Sequence, residues 1–278
     1  MVVRQTLSLS DLELSYLEWG SPSGEPVLLL HGLADHAGVW AKCGEYLASD
    51  YHVVAPDLRG HGESGKPQTG YRSIDIIRDL QALMQHLGWT DAHVIGHSWT
   101  GKVVPKWATL YPEQFRTAIL VDPFFIGKIP EWFRFTFPLL YQVLPFLKGM
   151  GPFATHEDAV DRAKTLKQYR GWSDFQKQVF EESIEQKQDG TWGSKFTVEA
   201  RDGVFEDVML VAGLTQEIHI PTLFVKPKGG LNRTSFQLKP YRRYLQKLEI
   251  QEVPGNHWAF LVEPNTFNVE ILEFLKQH

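Results

Sequence analysis

The chain of 278 residues contains a single cysteine, Cys43. A lone thiol excludes an internal disulfide and fits a reducing compartment. The first fourteen residues lack the apolar core of a signal peptide. The most apolar stretch, 135–147, is too short to span a bilayer and is interrupted by Pro138 and Pro145. There is no cationic excess: 28 Lys and Arg stand against 33 Asp and Glu, a net charge of -5, so neither nucleic acid nor a membrane is expected as a partner. The 11 histidines show no metal-ligand spacing backed by cysteines or clustered carboxylates, and no glycine-rich phosphate fingerprint occurs. These absences predict a soluble, cytoplasmic protein, a monomer or homodimer.

What is present is an ordinary globular composition, 43% hydrophobic and 22% charged. The length is large for one domain and small for two, which suggests one core with an inserted subdomain. Thr6 to Tyr16 alternates polar and apolar residues and predicts one or two antiparallel edge strands. Val27 to Leu30 is an unbroken apolar run, as in a parallel strand buried on both faces. A helix over Trp40 to Leu47 follows, then a strand over His52 to Ala55. A helix over Ser73 to Leu87, capped by Ser73 and ended by Gly88, comes next. Ala92 to Ile95 and Thr117 to Val121 read as strands. Alternation then lapses from Pro123 to about Gln216, an aromatic-rich block of helical and irregular pattern, and resumes with a strand over Thr222 to Val225. A helix near Lys239 to Leu248, a strand over Glu249 to Val253 and a helix over Thr266 to Lys276 complete the chain. Such alternation predicts an α/β fold, a mostly parallel sheet covered on both faces. The 123–216 block would stand over the carboxyl ends of its strands, where such sheets bind ligands.

The stretch Gly96-His97-Ser98-Trp99-Thr100-Gly101 joins a predicted strand to a predicted helix. A serine at so abrupt a join sits in a strained turn that presents its hydroxyl, while the helix N-terminus aims free N–H groups at whatever reacts there. The second glycine comes one place later than in Gly-x-Ser-x-Gly, with Thr100 in its usual position. Serine chemistry needs a base, an acid that orients the base, and donors for an oxyanion. Gly255-Asn256-His257-Trp258 leaves the last predicted strand and offers His257 as the base.

Together these residues resemble the α/β-hydrolase fold superfamily over nearly the whole chain. His31-Gly32 is similar to its oxyanion loop, Asp57-x-Arg59-Gly60-His61-Gly62-x-Ser64 to its next core loop, Gly96-x-Ser98 to its nucleophile elbow, and Gly255-x-His257 with Pro264 to its histidine segment. The resemblance implies an eight-stranded sheet flanked by helices, with 1–122 and 217–278 as the core domain and 123–216 as a helical cap. It also implies an oxyanion hole from the N–H groups of Leu33 and Trp99. Arg59 and His61 are read as structural turn residues. The family's usual acid follows the strand at Thr222 to Val225, but that loop, Lys226 to Arg233, carries no carboxylate, and Gly230 stands about where an aspartate is expected. A minority arrangement in the family takes the acid from the end of the preceding strand. Asp122 holds that position; a neutral Asn232, or a site without an acid, are the alternatives.

The implied chemistry is acyl transfer by Ser98, His257 and Asp122 on a small, fairly hydrophobic carboxylic ester. Serine at the elbow argues against the family's dehalogenases and epoxide hydrolases, which use aspartate there. Lactone, thioester, carbon–carbon and perhydrolytic chemistry would use the same triad, and a low-turnover ligand-binding protein of the same fold is the reading from another class. His31, Trp132, Phe137, Tyr141 and Trp258 are the candidate pocket residues. No metal or cofactor is expected, because the triad itself supplies base, nucleophile and charge stabilisation.

Overall fold

The computed structural model describes residues 2–137, 139 and 150–278. The alternating N-terminal stretch forms two antiparallel strands, β1 (Val3–Ser8) and β2 (Glu13–Trp19), with Leu7 opposite Leu14. β2 pairs antiparallel with β4 (Tyr51–Pro56). From there the sheet is parallel through β3 (Glu25–Leu30), β5 (Ala92–His97), β6 (Phe115–Val121), β9 (Thr222–Gly229) and β10 (Leu248–Asn256). The eight strands lie in the order β1-β2-β4-β3-β5-β6-β9-β10.

The central strands are continuously apolar because successive side chains enter two different cores. Leu28, Leu30, Val94, Ala118 and Leu120 pack on one face with Ile77 and Leu80 of α2 (Ser73–His86) and Val104 and Trp107 of α3 (Thr100–Leu110). Val27, Leu29, Ile95, Ile119 and Val121 pack on the other with Cys43 and Leu47 of α1 (Ala41–Leu47). Phe267 and Ile271 of the C-terminal helix Pro264–Leu275 complete that face. Truncating one of these side chains, as in Leu28→Ala, costs about 2–5 kcal/mol through lost transfer energy and the cavity left behind.

Between β6 and β9 the regular alternation lapses. This block holds a 3₁₀ turn (Glu131–Thr136), α4 (His156–Lys164), α5 (Asp174–Ser183), a hairpin of β7 (Ile184–Gln186) and β8 (Trp192–Ser194), and α6 (Val198–Leu210). The remaining helices are α7 (Ser235–Tyr244), α8 (Ala259–Val262) and the C-terminal one, α9. No helix among the described residues is long and apolar enough to cross a membrane.

Three local expectations are corrected. Ser73 is the first residue of α2 rather than its cap: the extended residue is Arg72, whose N–H is taken by the Asp75 carboxylate at 3.1 Å, and the Ser73 hydroxyl donates to Asp207 of α6. The helix expected near Lys239 to Leu248 runs from Ser235 to Tyr244. It starts early because Thr234 and Gln237 form a reciprocal capping box, the Gln237 side chain accepting the Thr234 N–H at 2.9 Å. The β7–β8 hairpin falls in the block read as helical and irregular. Its turn is built on Asp189-Gly190, with Gly190 at φ +86°.

Candidate active site

Ser98 sits between the end of β5 and the start of α3 at φ +57°, a left-handed conformation uncommon for a serine. The strain is held by the backbone: the Ser98 N–H donates to Val121 O at 3.0 Å, and Ser98 O accepts from Phe124 N at 2.9 Å. Strand and helix come so close that a Cβ at Gly96 would lie 2.8 Å from Thr100 O, and one at Gly101 3.2 Å from Pro123 Cα. Thr100 is accommodated because its hydroxyl faces the carbonyls of His97, Leu30 and His31 at 2.9, 3.0 and 3.1 Å. The variant position in the elbow therefore ties it to the end of β3.

His257 follows β10 and points its Nδ1 at Asp122 Oδ2, 2.6 Å away. The carboxylate only accepts, so Nδ1 carries the proton and Nε2 keeps its lone pair. Asp122 immediately follows β6 at φ +40° and is fully buried. Its other donors are Leu231 N at 2.7 Å, Asn232 N at 3.1 Å and Asn232 Nδ2 at 2.9 Å. Burial pushes the carboxyl up, but the hydrogen bond and charge of His257, with the Asn232 and Leu231 donors, outweigh it and hold it below the usual carboxylate value. A Cβ on Gly230 would stand 2.5 Å from Asp122 Oδ2. The space beside Gly230 is thus filled by a carboxylate reaching over from the neighbouring strand. Asn232 does not take the acid's place; it braces the acid, with a second bond from Nδ2 to Pro123 O at 2.8 Å.

Ser98 and His257 line one cavity of about 570 Å³, together with Leu33, Trp99 and Trp258. The Ser98 hydroxyl makes no hydrogen bond with any described residue. Unliganded catalytic pairs are often loose and tighten only around substrate. Leu33 follows the β3 loop, in a turn where Asp35 N bonds Gly32 O at 3.2 Å and Ala34 takes φ +63°. Neither the Leu33 N–H nor the Trp99 N–H donates to a group among the described residues, and both residues line the cavity beside the N-terminus of α3.

A second histidine supports the first. His97, the residue between Gly96 and Ser98, is buried and donates from Nε2 to the backbone carbonyl of His257 at 2.9 Å. Its Nδ1 lies 3.6 Å from Asp35 Oδ2, and the same oxygen accepts Trp258 Nε1 at 3.1 Å. The β3 loop, the elbow and the histidine loop are thus fastened to one another. The position of His97 beside Ser98 was visible in the sequence; nothing there marked Asp35.

Of the expected pocket residues, Trp258 lines the cavity. His31 does not: it is fully buried, with Nδ1 donating to Gly32 O at 2.8 Å and Nε2 accepting from Leu58 N at 3.0 Å. Its work is to hold the loop that carries Leu33. Trp132 is 63% exposed and stacks on Phe133 away from the cavity wall. Phe137 is buried behind Phe205, edge-on at 5.1 Å, and it is Phe205 that reaches the cavity. Tyr141 lies outside the described residues. Arg59 and His61 are structural, as read: Arg59 makes a two-pronged bond to Asp79, and burial between Trp99 and Phe196 pushes the His61 imidazole down to about 3. Among the described residues no group of three or more His, Cys, Asp or Glu could hold a metal ion.

A family model described as the alpha/beta hydrolase fold matches residues 25–264. A serine hydrolase-like protein of Danio rerio is 26% identical over 282 aligned positions, covering 95% of this chain and 85% of the relative. A fluoroacetate dehalogenase of a Burkholderia species is 26% identical over 270, covering 92% and 88%. Among solved structures, E-2-(acetamidomethylene)succinate hydrolase superposes with a TM-score of 0.77 at 20% identity, covering 99% of this chain and 100% of that one, a likeness of fold. The match runs from β3 through the elbow to the histidine loop, and this chain belongs to the alpha/beta hydrolase fold family.

Proposed function

We propose that the protein is a serine hydrolase that cleaves a carboxylic ester of a small, fairly hydrophobic molecule through Ser98, His257 and Asp122. The observation that carries the reading is the buried Asp122–His257 pair at 2.6 Å, on the same cavity as a serine held at positive φ and two unengaged backbone N–H groups. Residues 123–216 act as a cap over the core formed by 1–122 and 217–278, since Leu166, Gln168 and Phe205 from that block line the cavity opposite Ser98. The protein works in the cytoplasm as a monomer or homodimer.

In the reaction, His257 Nε2 takes the Ser98 proton as Oγ attacks the carbonyl carbon. The oxyanion is stabilised by the Leu33 and Trp99 N–H groups, and Asp122 stabilises the imidazolium. His257 Nε2–H then protonates the departing alkoxide, leaving an acyl-Ser98. Water enters, gives its proton to His257 and attacks the acyl carbon, and the second tetrahedral intermediate returns the proton to Ser98 Oγ as the acid leaves. Lactones and thioesters present the same carbonyl to the same groups. Serine in the place of an acidic nucleophile favours esters over the haloacid chemistry of the dehalogenase relative.

The test is labelling by a fluorophosphonate probe together with hydrolysis of p-nitrophenyl esters of increasing chain length, with Ser98→Ala as control. Both activities are expected and both disappear in Ser98→Ala. The unpaired Ser98 hydroxyl favours one second reading, a ligand-binding protein of the same fold; tight ligand binding with neither labelling nor turnover would establish it instead.

A further inference from the structure

Among the described residues the cavity is lined by three cationic side chains, Arg162, Lys167 and Arg233, and by one acid, Asp35. Asp35 is buried and already accepts the Trp258 indole N–H. None of the three cations pairs with a carboxylate among the described residues, whereas Arg4, Arg59, Arg116, Lys195 and Lys226 all do. This runs against the composition, since acids outnumber bases 33 to 28 over the chain.

Two of the cationic residues are anchored at the same strand end. Arg233 donates from Nε to Gly230 O at 2.8 Å and from Nη2 to Gly229 O at 3.4 Å, which fixes its guanidinium on the β9 loop and leaves further N–H donors free. Gly229 pairs with Asn256 in the sheet, and Asn256 Nδ2 donates to Lys167 O at 2.7 Å. Arg233 and Lys167 therefore flank Asn256, the residue before His257, one from the sheet side and one from the block above it. Arg162 lies on α4, just ahead of Lys167, and is anchored to Thr165 Oγ1 at 3.3 Å. The other walls are apolar, from Val204, Phe205 and Val208 of α6 and from Phe124.

We infer that the substrate is amphipathic: an ester with an apolar body and a carboxylate that is received at the corner formed by Arg233, Lys167 and Arg162 beside His257. The inference rests on the serine-hydrolase reading for the reaction, but it concerns binding and is testable without turnover. Lys167 and Arg233 are exposed and Arg162 half-buried, so water and salt screen their charge-assisted hydrogen bonds, and two of them imply a preference of up to about tenfold over a neutral analogue.

The experiment compares kcat/KM for mono(4-nitrophenyl) adipate and 4-nitrophenyl hexanoate, which share a six-carbon acyl chain and differ in a terminal carboxylate, with calorimetric binding of adipate, hexanoate and inorganic phosphate as a parallel readout. The expected result is a preference for the adipate ester of about tenfold at low salt, shrinking as ionic strength rises. The ratio should fall toward one in Arg233→Gln/Lys167→Gln and stay unchanged in Lys276→Gln, which removes one positive charge at the far C-terminus. Equal kcat/KM for the two esters, or a preference that survives Arg233→Gln/Lys167→Gln, overturns the inference while leaving the hydrolase reading intact. Tighter binding of phosphate than of adipate overturns the carboxylate assignment. If neither ester turns over and Ser98 is not labelled, the hydrolase reading fails, and the adipate-to-hexanoate binding ratio still decides the charge preference.

Discussion

Replacing Asp122 by asparagine isolates what the acid does for His257. The Asp122 carboxylate accepts four hydrogen bonds in the folded protein, from His257 Nδ1, Leu231 N, Asn232 N and Asn232 Nδ2. An amide at this position has one accepting oxygen and one NH₂ group. If the oxygen stays on the Leu231 and Asn232 donors, the NH₂ faces His257 Nδ1 and can be satisfied only if that nitrogen gives up its proton. The ring then takes the tautomer with hydrogen on Nε2, the atom that in the proposed reaction accepts from Ser98. The same change in trypsin-like enzymes lowers kcat by about four orders of magnitude, which at ~1.4 kcal/mol per decade is about 5.5 kcal/mol of transition-state stabilisation. The expectation for Asp122→Asn is a loss of that order in hydrolysis of a p-nitrophenyl ester, with fluorophosphonate labelling slowed in parallel. Asn232→Ala removes one brace of the acid and leaves the His257 contact, so its loss should be about tenfold or less. A stability readout accompanies the rates. Asp122 is held below its ordinary value of 3.8, so its contribution is fully present above that value and is lost as pH falls through the lowered one. In Asp122→Asn that acid-side fall in the urea midpoint should flatten. An Asp122→Asn protein that keeps more than about a tenth of wild-type activity, beside an Asn232→Ala protein that loses nearly all of it, would refute the argument.

Two further expectations follow from buried polar groups. Thr100→Val keeps the shape but removes the one hydroxyl proton shared among the carbonyls of Leu30, His31 and His97, and should cost about 1–3 kcal/mol in chemical denaturation; a midpoint equal to wild type would contradict the role given to that hydroxyl. Lys102 lies buried in α3 and donates to Gly127 O at 2.6 Å and to Val208 O; burial pushes it down to about 7 from 10.5. Over that window the unfolded chain binds more protons than the folded one, so stability should rise with pH relative to Lys102→Met; superimposable pH profiles would contradict it.

The core strands were legible because each is an apolar run whose alternate residues, such as Leu28 and Leu29, enter opposite layers, a pattern only a doubly covered sheet produces. Boundaries were read less well where a few side chains decide them. Thr234 and Gln237 start α7 four residues ahead of the apolar pattern, and Asp75 moves the cap of α2 from Ser73 to Arg72. In the block between β6 and β9, aromatic content said nothing about direction. Trp132 faces solvent while Phe205, less conspicuous in the sequence, reaches the cavity.

The same division runs through the site. Ser98, Asp122 and His257 stand at the ends of β5, β6 and β10, where strand register and a turn fix each backbone position, so a short motif at a strand end carries their places. The relocation of the acid follows from that geometry. β6 and β9 are neighbours, Val121 pairs with Val225, and a carboxylate from the end of either strand can reach the space in front of His257. Only one can fill it, because a Cβ at Gly230 and the Asp122 carboxylate would stand 2.5 Å apart. A glycine at 230 is therefore the counterpart of an acid at 122, and the two positions should be read as a pair: a side chain at 230 requires the loss of Asp122, and the loss of Asp122 opens room for one. The cations that face the substrate obey no such rule. Arg162 and Lys167 come from the irregular block and Arg233 from a loop, where no strand register links sequence position to direction. The chemistry of the site is written at strand ends, and its preference for a substrate is written in the segments that only the folded chain brings together.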